Sequence, residues 1–131
     1  MDMDGLMIFV VDDDRDVGEV SASLLSAFGW KTRTFRDARD CLAAALDQPP
    51  ACILSDLDMP FMDGIRLMEA LSAAGIKVPV VVMTGLSRHS PGWAQAADLA
   101  SGMVAKPYGE ADLYRSISRA VGASPDPGVV R

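Results

Sequence analysis

The sequence predicts an α/β fold: one doubly wound, five-stranded parallel sheet. Three observations predict it. Short apolar runs rich in branched residues recur at Met7 to Val11, Ala51 to Leu54 and Val78 to Met83, and each ends in a polar cluster. Such runs suit strands buried on both faces. Between them the apolar spacing switches to the 3.6-residue period of a helix. Gly29, Pro49-Pro50 and Gly75 then fall where the first three helices should stop.

Taken in order, strand 1 is the run from Met7. Val17, Val20, Leu24, Leu25 and Phe28 share one face of the helix that follows. Trip points for a second strand run from Trp30 to Phe35, where Lys31 and Arg33 suit a sheet edge. Ala38, Cys41, Leu42, Ala45 and Leu46 form the stripe of helix 2, and Leu67, Met68 and Leu71 that of helix 3. The stretch from Ser87 to Ser101 has little large apolar surface beyond Trp93 and Leu99. A short, loosely held helix is expected there, with Pro91 at its first position and Ser90 as cap. A weaker strand covers Gly102 to Ala105, and Leu113, Ile117, Ala120 and Val121 mark the last helix.

Five β-α units in succession need right-handed crossovers, which place helices on both faces of the sheet. The flavodoxin-like order 2-1-3-4-5 is the natural solution, with ligands bound beyond the carboxyl ends of the strands. One domain is expected over residues 1–121. Residues 122–131, GASPDPGVVR, hold two prolines and no core pattern, and read as a disordered tail or linker stub.

Composition narrows the function. The 131 residues carry 18 acidic and 12 basic side chains, a net charge of −6. That argues against a direct grip on nucleic acid, which needs a basic face. Cys41 and Cys52 have neither metal-ligand nor disulfide spacing and read as core residues in a reducing compartment. The acidic N-terminus is no signal peptide and no apolar run reaches a membrane span. A cytoplasmic protein with no membrane contact is the expectation.

The chemistry collects at strand ends. Asp12 and Asp13 follow strand 1 in VVDDD, and Asp56 ends strand 3 in SDLDMPFMDG. Strands 1 and 3 are neighbours in the predicted sheet, so three carboxylates meet at one rim. Such a cluster is unfavourable without a cation, and an all-oxygen donor set favours Mg²⁺. Thr84 ends strand 4 in VVVMTG, and Lys106 ends strand 5 in MVAKPY. A hydroxyl, the N–H of Gly85 and an ammonium are donors suited to phosphate oxygens. Together these form a phosphoryl-transfer constellation.

With those four motifs in that order, the chain resembles the receiver domain of bacterial two-component response regulators over roughly residues 6 to 121. Its first half resembles receivers coupled to helix-turn-helix transcription factors. The resemblance implies that Asp56 is the phosphoacceptor, taking its phosphoryl group from a histidine kinase or a histidine phosphotransfer protein. It implies that Asp13 and Asp56 ligate Mg²⁺ directly, Asp12 through water, with the backbone carbonyl of Asp58 completing the protein ligands. Lys106 then pairs with Asp56, Thr84 and Gly85 grasp phosphoryl oxygens, and the Lys106–Pro107 bond is often cis. Pro60 and Gly64 shape the loop after Asp56. The surface of helix 4, strand 5 and helix 5 would carry the message, with a homodimer as one outcome.

Two departures from the family pattern matter, one at Met103 and one at the pair Asp58 and Leu86. Met103 stands where an aromatic switch residue is usual, and a thioether lacks its hydroxyl. Asp58 and Leu86, two residues after Asp56 and Thr84, occupy sites that influence water access in the family. Other polar residues have simpler roles: Asp14 and Asp16 read as the cap and first-turn charge of helix 1, and His89 as a loop residue. Trp93 reads either as a partner contact or as a lid on the core. An aspartyl-nucleophile phosphatase of the haloacid dehalogenase type, suggested by the D-x-D of Asp56 to Asp58, is a weaker reading because its late acidic pair is missing. A degenerate receiver acting only as a binding module is a further alternative, favoured by Met103 and disfavoured because Asp12, Asp13, Asp56, Thr84 and Lys106 are all present. A calcium loop at Asp12, Asp14 and Asp16 fails because Val17 replaces the required glycine and Ser23 the glutamate.

Overall fold

A computed structural model describes residues 5–87 and 89–122. The elements alternate strictly: β1 (Met7–Val11), α1 (Arg15–Ala27), β2 (Lys31–Phe35), α2 (Ala38–Asp47), β3 (Cys52–Asp56), α3 (Gly64–Ala73), β4 (Val80–Thr84), α4 (Pro91–Leu99), β5 (Gly102–Ala105) and α5 (Glu110–Gly122). All strand pairs are parallel and the order is β2-β1-β3-β4-β5, as expected. The expected tail lies outside the described residues, apart from Gly122, which closes α5. Among the described residues no helix is long and apolar enough to cross a membrane.

The central strands β1, β3 and β4 are buried on both faces because their side chains alternate between two cores, while the edge strand β2 is largely exposed. Ile8, Val10, Cys52, Leu54, Val81 and Met83 pack with Leu25 of α1 and with Leu113 and Ile117 of α5. Phe9, Val11, Ile53, Val80 and Val82 pack on the other face with Cys41 of α2, Leu67 and Leu71 of α3 and Ala96 of α4. Burial pushes the thiol pKa of both cysteines up to about 12, so they remain uncharged packing residues. Pro79 immediately precedes β4, so that strand starts later than the apolar run at Val78.

Two helix stripes differ from expectation. In α1 the inward residues are Gly18, Ser21, Ala22 and Leu25, while Val20 is exposed. The helix lies close to the end of β1: a Cβ on Gly18 would sit 3.6 Å from Asp12 Cβ. Small residues face the sheet there, and Val17, Leu24 and Phe28 take the half-buried flanks. In α2 the exposed residue is Leu46, because the short helix rests on Ala38, Cys41 and Ala45.

The helix ends are set locally. Asp14 Oδ1 accepts the N–H groups of Asp16 and Val17 and caps α1. Asp37 and Asp63 cap α2 and α3 in the same way. Gly29 and Gly75 have φ of +105° and +77° just past α1 and α3, the left-handed stop that glycine adopts at least cost. α4 is the exception. Pro91 opens it and Ser90 holds the cap position, but the Ser90 hydroxyl donates to the Ser87 carbonyl instead of capping the helix. Ala96 is its single buried residue, which fits the weak apolar pattern of that segment.

Candidate functional site

The carboxyl ends of β1, β3 and β4 and the residues just beyond β5 form one rim. Asp12 continues β1 by one residue, its N–H bonded to the Phe35 carbonyl at 3.0 Å. Asp56 is the last residue of β3 and is buried. Carboxylate oxygens of Asp12, Asp13 and Asp56 lie within 4.8 Å of one another. The Lys106 ammonium donates to Asp56 Oδ1 at 3.0 Å. Thr84 ends β4, buried, and its Oγ1 accepts the Leu86 N–H at 2.9 Å. Gly85 is exposed with open space around its Cα. The Lys106 N–H bonds the Thr84 carbonyl at 2.8 Å, which extends the β4–β5 pairing to the lysine. The Lys106–Pro107 bond is cis.

Burial sets the electrostatics. Asp12 is 2% exposed, and its pKa is raised, first by burial and then by the charges of Asp56 and Asp13. The Asp14 N–H and the Lys106 ammonium oppose that shift without cancelling it. For Lys106, burial alone would lower the pKa, but the hydrogen bond and charge of Asp56, with help from Asp12, leave it raised. The cluster thus concentrates negative charge against one ammonium.

The donor set fits a hard divalent cation. Asp12 Oδ1 accepts the Asp14 N–H at 2.9 Å, but Oδ2 is buried with no hydrogen-bond partner among the described residues. A buried acceptor left in that condition is costly unless a cation or water completes it. All nearby ligand atoms are carboxylate oxygens, the chemistry that Mg²⁺ takes.

Asp12, Asp13, Asp56 and Lys106 are therefore brought together, with Thr84 and Gly85 at the end of β4, the strand lying between β3 and β5. Asp58 is exposed in the loop that follows Asp56. Gly64 packs beneath that loop: a Cβ there would stand 3.0 Å from the Asp56 carbonyl oxygen. Met103 lies half-buried in β5 and packs, as Leu86 does, against the core that α2, α3 and α4 share. Trp93 is half-buried and lines a groove with Leu86 and Met103. His89 is exposed, as a loop residue should be.

Sequence reasoning missed two contacts near the rim. The Ser21 and Tyr108 hydroxyls hydrogen-bond across 87 positions, a pairing with no local signature. Phe61 has φ of +67° and is 83% exposed, with the Arg39 guanidinium 4.5 Å from its ring centroid. An aromatic residue directly after Pro60, in a tight loop, was the available signal for the second.

A doubly wound parallel sheet with acidic residues, a threonine and a lysine on its carboxyl rim defines a receiver-type signalling domain. The model of the response regulator receiver domain family matches residues 8–118, and the chain belongs to that family. It is 31% identical over 126 residues to the transcriptional regulatory protein FixJ of Azorhizobium caulinodans, covering 95% of this chain and 59% of that protein. It is 30% identical over 114 residues to the transcriptional regulatory protein TdiR of Thauera aromatica, covering 87% of this chain and 50% of that one. The chain thus spans little more than half the length of these relatives. Among solved structures, FixJ-N superposes with a TM-score of 0.84 at 28% identity, over 91% of this chain and 95% of that one. The receiver domain of a sensor histidine kinase from Pseudomonas aeruginosa PAO1, described with a magnesium ion in its active site cleft, shares the fold. Its TM-score is 0.81 at 24% identity, over 90% of this chain and 98% of that one.

Proposed function

We propose that this chain is a phosphoacceptor switch of a two-component phosphorelay, with Asp56 as the acceptor. The observation that carries the reading is the 3.0 Å contact of Lys106 Nζ with Asp56 Oδ1 beside the Asp12 and Asp13 carboxylates. Asp12, Asp13 and Asp56, with the Asp58 carbonyl, would hold Mg²⁺, and the bound ion offsets the charge that gathers on the phosphoryl oxygens.

The protein groups divide the remaining work. An Asp56 carboxylate oxygen attacks phosphorus of a phosphohistidine on a histidine kinase or phosphotransfer protein. A P–O bond forms, the P–N bond breaks, and the released imidazole nitrogen takes a proton. Lys106 pairs with the carboxylate before transfer and with a phosphoryl oxygen after it. The Thr84 hydroxyl and Gly85 N–H donate to the other phosphoryl oxygens. Thr84 Oγ1 already accepts the Leu86 N–H, so its movement toward the phosphoryl group pulls on the loop after β4. Leu86 touches the start of α4: a Cβ on Gly92 would meet its Cδ1 at 3.2 Å. A helix with a single buried residue responds readily to that pull, because the population follows the differential interaction of the two states. The α4–β5–α5 surface then carries the signal to a partner or to a second copy, with Met103 in place of the family's aromatic residue.

In this reading residues 1–121 form the receiver, the location is cytoplasmic, and the chain promotes only its own phosphorylation and dephosphorylation. Acetyl phosphate with Mg²⁺ tests it. Stoichiometric incorporation in the parent and none in Asp56→Ala is expected. Unchanged incorporation in Asp56→Ala overturns the acceptor, and sustained multiple turnover on small phosphate esters favours the phosphatase instead.

A further inference from the structure

The loop between β3 and α3 is pinned firmly at its two ends. The Leu57 N–H bonds the Met83 carbonyl at 2.9 Å, and the Gly64 N–H bonds the Leu57 carbonyl at 3.0 Å. Asp63 closes the far end by accepting the Arg66 N–H at 2.9 Å. In the middle of the loop, beyond Asp58, Met59 and Met62 pack against the core and the Met62 N–H bonds the Pro60 carbonyl at 2.7 Å. Phe61 is the single non-glycine residue with positive φ among the described residues, and its ring faces solvent over most of its surface. The Met62–Pro60 bond closes a three-residue turn centred on Phe61, which accounts for its backbone but leaves its ring without cover from the loop itself. What meets the ring is the Arg39 guanidinium, 4.5 Å from its centroid.

Arg39 is itself fixed. Its Nε lies 3.0 Å and 3.1 Å from the two Asp37 carboxylate oxygens, and its Nη2 lies 2.6 Å from Asp37 Oδ2. The Arg39 N–H also donates to Asp37 Oδ1 at 2.8 Å, where Asp37 caps α2. A planar guanidinium bound along its edge presents its face, which is the geometry that stacks on an aromatic ring. The start of α2 thus offers a rigid plate to the loop. Pro60, with its fixed φ, leaves few free dihedrals between that plate and Asp58.

We infer that Arg39 and Phe61 are positioning residues for the divalent cation site, holding the loop so that the Asp58 carbonyl faces the Asp12, Asp13 and Asp56 carboxylates. Neither side chain touches the ion. They act through the backbone of residues 58 to 61, as outer groups do when they orient metal ligands. This inference rests on the proposed Mg²⁺ site.

The test is a double-mutant cycle read by titration calorimetry with MgCl₂ on the parent, Arg39→Ala, Phe61→Gly and the pair. Each single variant should bind Mg²⁺ about tenfold more weakly, the low end for groups that orient metal ligands. The double variant should bind no more weakly than either single one, because both remove the same contact. Phe61→Gly separates positioning from general stability: glycine relieves the positive φ, so its thermal midpoint should hold or rise while its affinity falls. Arg39→Lys, which lacks the planar fork, should not restore the affinity. Equal Mg²⁺ affinity in parent and single variants overturns this inference and leaves the site standing. Absence of Mg²⁺ binding by the parent overturns both.

Discussion

Lys106 Nζ lies 3.0 Å from Asp56 Oδ1, although β4 stands between the strands that carry the two residues. Strands are about 4.8 Å apart, so the pair bridges about 10 Å of sheet. A four-carbon stem ending in a point charge covers that distance over the end of β4, at Thr84. The same geometry places the ammonium where it can face a phosphoryl group on Asp56 without any change in the sheet.

The first prediction removes that charge and keeps the stem. Lys106→Met leaves Asp56 and Asp12 with no nearby ammonium. The lysine side chain is one-third exposed, so the loss should fall below the value for a fully buried pair, at about 1 kcal/mol or roughly 3–5 °C in Tm with EDTA present. The ammonium pKa is raised from 10.5, so its contribution is complete at neutral pH and fades only as pH rises through the raised value. The parent–variant gap should therefore be flat between pH 7 and 9. Thermal melts across that range check it, and acetyl phosphate labelling should fall sharply in the variant.

A second prediction concerns Asp12. Its carboxyl pKa is raised in the fold, chiefly by burial, above the ordinary value of 3.8. The folded state therefore binds more protons than the unfolded state just above pH 3.8, and stability falls as pH rises through the folded pKa. Asp12→Asn removes that dependence. In EDTA at pH 7 the variant should match or exceed the parent in urea resistance, and the parent alone should gain from mild acidification. With Mg²⁺ the order should reverse, because the parent keeps a carboxylate ligand and the variant does not. Urea titrations stepped from pH 7 down to pH 4, with and without Mg²⁺, decide it.

These two predictions rest on residues that the sequence made visible. Asp12, Asp13, Asp56, Thr84 and Lys106 each follow or end a short apolar run, and period-two burial carries them to the same edge of the sheet. The β-α alternation pointed to a doubly wound sheet, and the order 2-1-3-4-5 expected for five strands is the one observed. What stayed hidden was set by packing. The inward face of α1 is small because the helix sits close to Asp12, and a count of large apolar residues points instead to Val20, which is exposed. The Arg39–Phe61 stack joins the start of α2 to the β3–α3 loop and depends on a backbone angle, neither of which leaves a periodic trace.

A third prediction uses a neighbouring residue whose backbone N–H supports Asp12 but whose side chain caps α1. Asp14 Oδ1 accepts two N–H groups at the start of α1 and makes no contact with the carboxylate cluster through its own side chain. Asp14→Ala should cost about 1 kcal/mol, the usual loss for a helix cap. Labelling at Asp56 under saturating Mg²⁺ should be unchanged. A large loss of labelling would mean that Asp14 contributes charge to the site rather than only a cap.

The last prediction concerns Gly64, where a single methyl group tests how tightly the acceptor segment is held. A Cβ would stand 3.0 Å from the Asp56 carbonyl oxygen and 3.3 Å from Leu57 Cα. Both neighbours are backbone, so neither can rotate away as a side chain would. Gly64→Ala must displace either the start of α3 or the Asp56–Leu57 peptide, and overpacking of that kind costs about 1–3 kcal/mol. The Leu57 N–H is tied to the Met83 carbonyl on β4, so the sheet resists the second option. If α3 moves, the chain should lose stability while Asp56 keeps its pairing with Lys106 and labels at near-parental rate. If the peptide moves, labelling should fall together with stability. Tm and the acetyl phosphate labelling rate, measured on the same sample, distinguish the two, and the β3–β4 hydrogen bond makes the first the expected result.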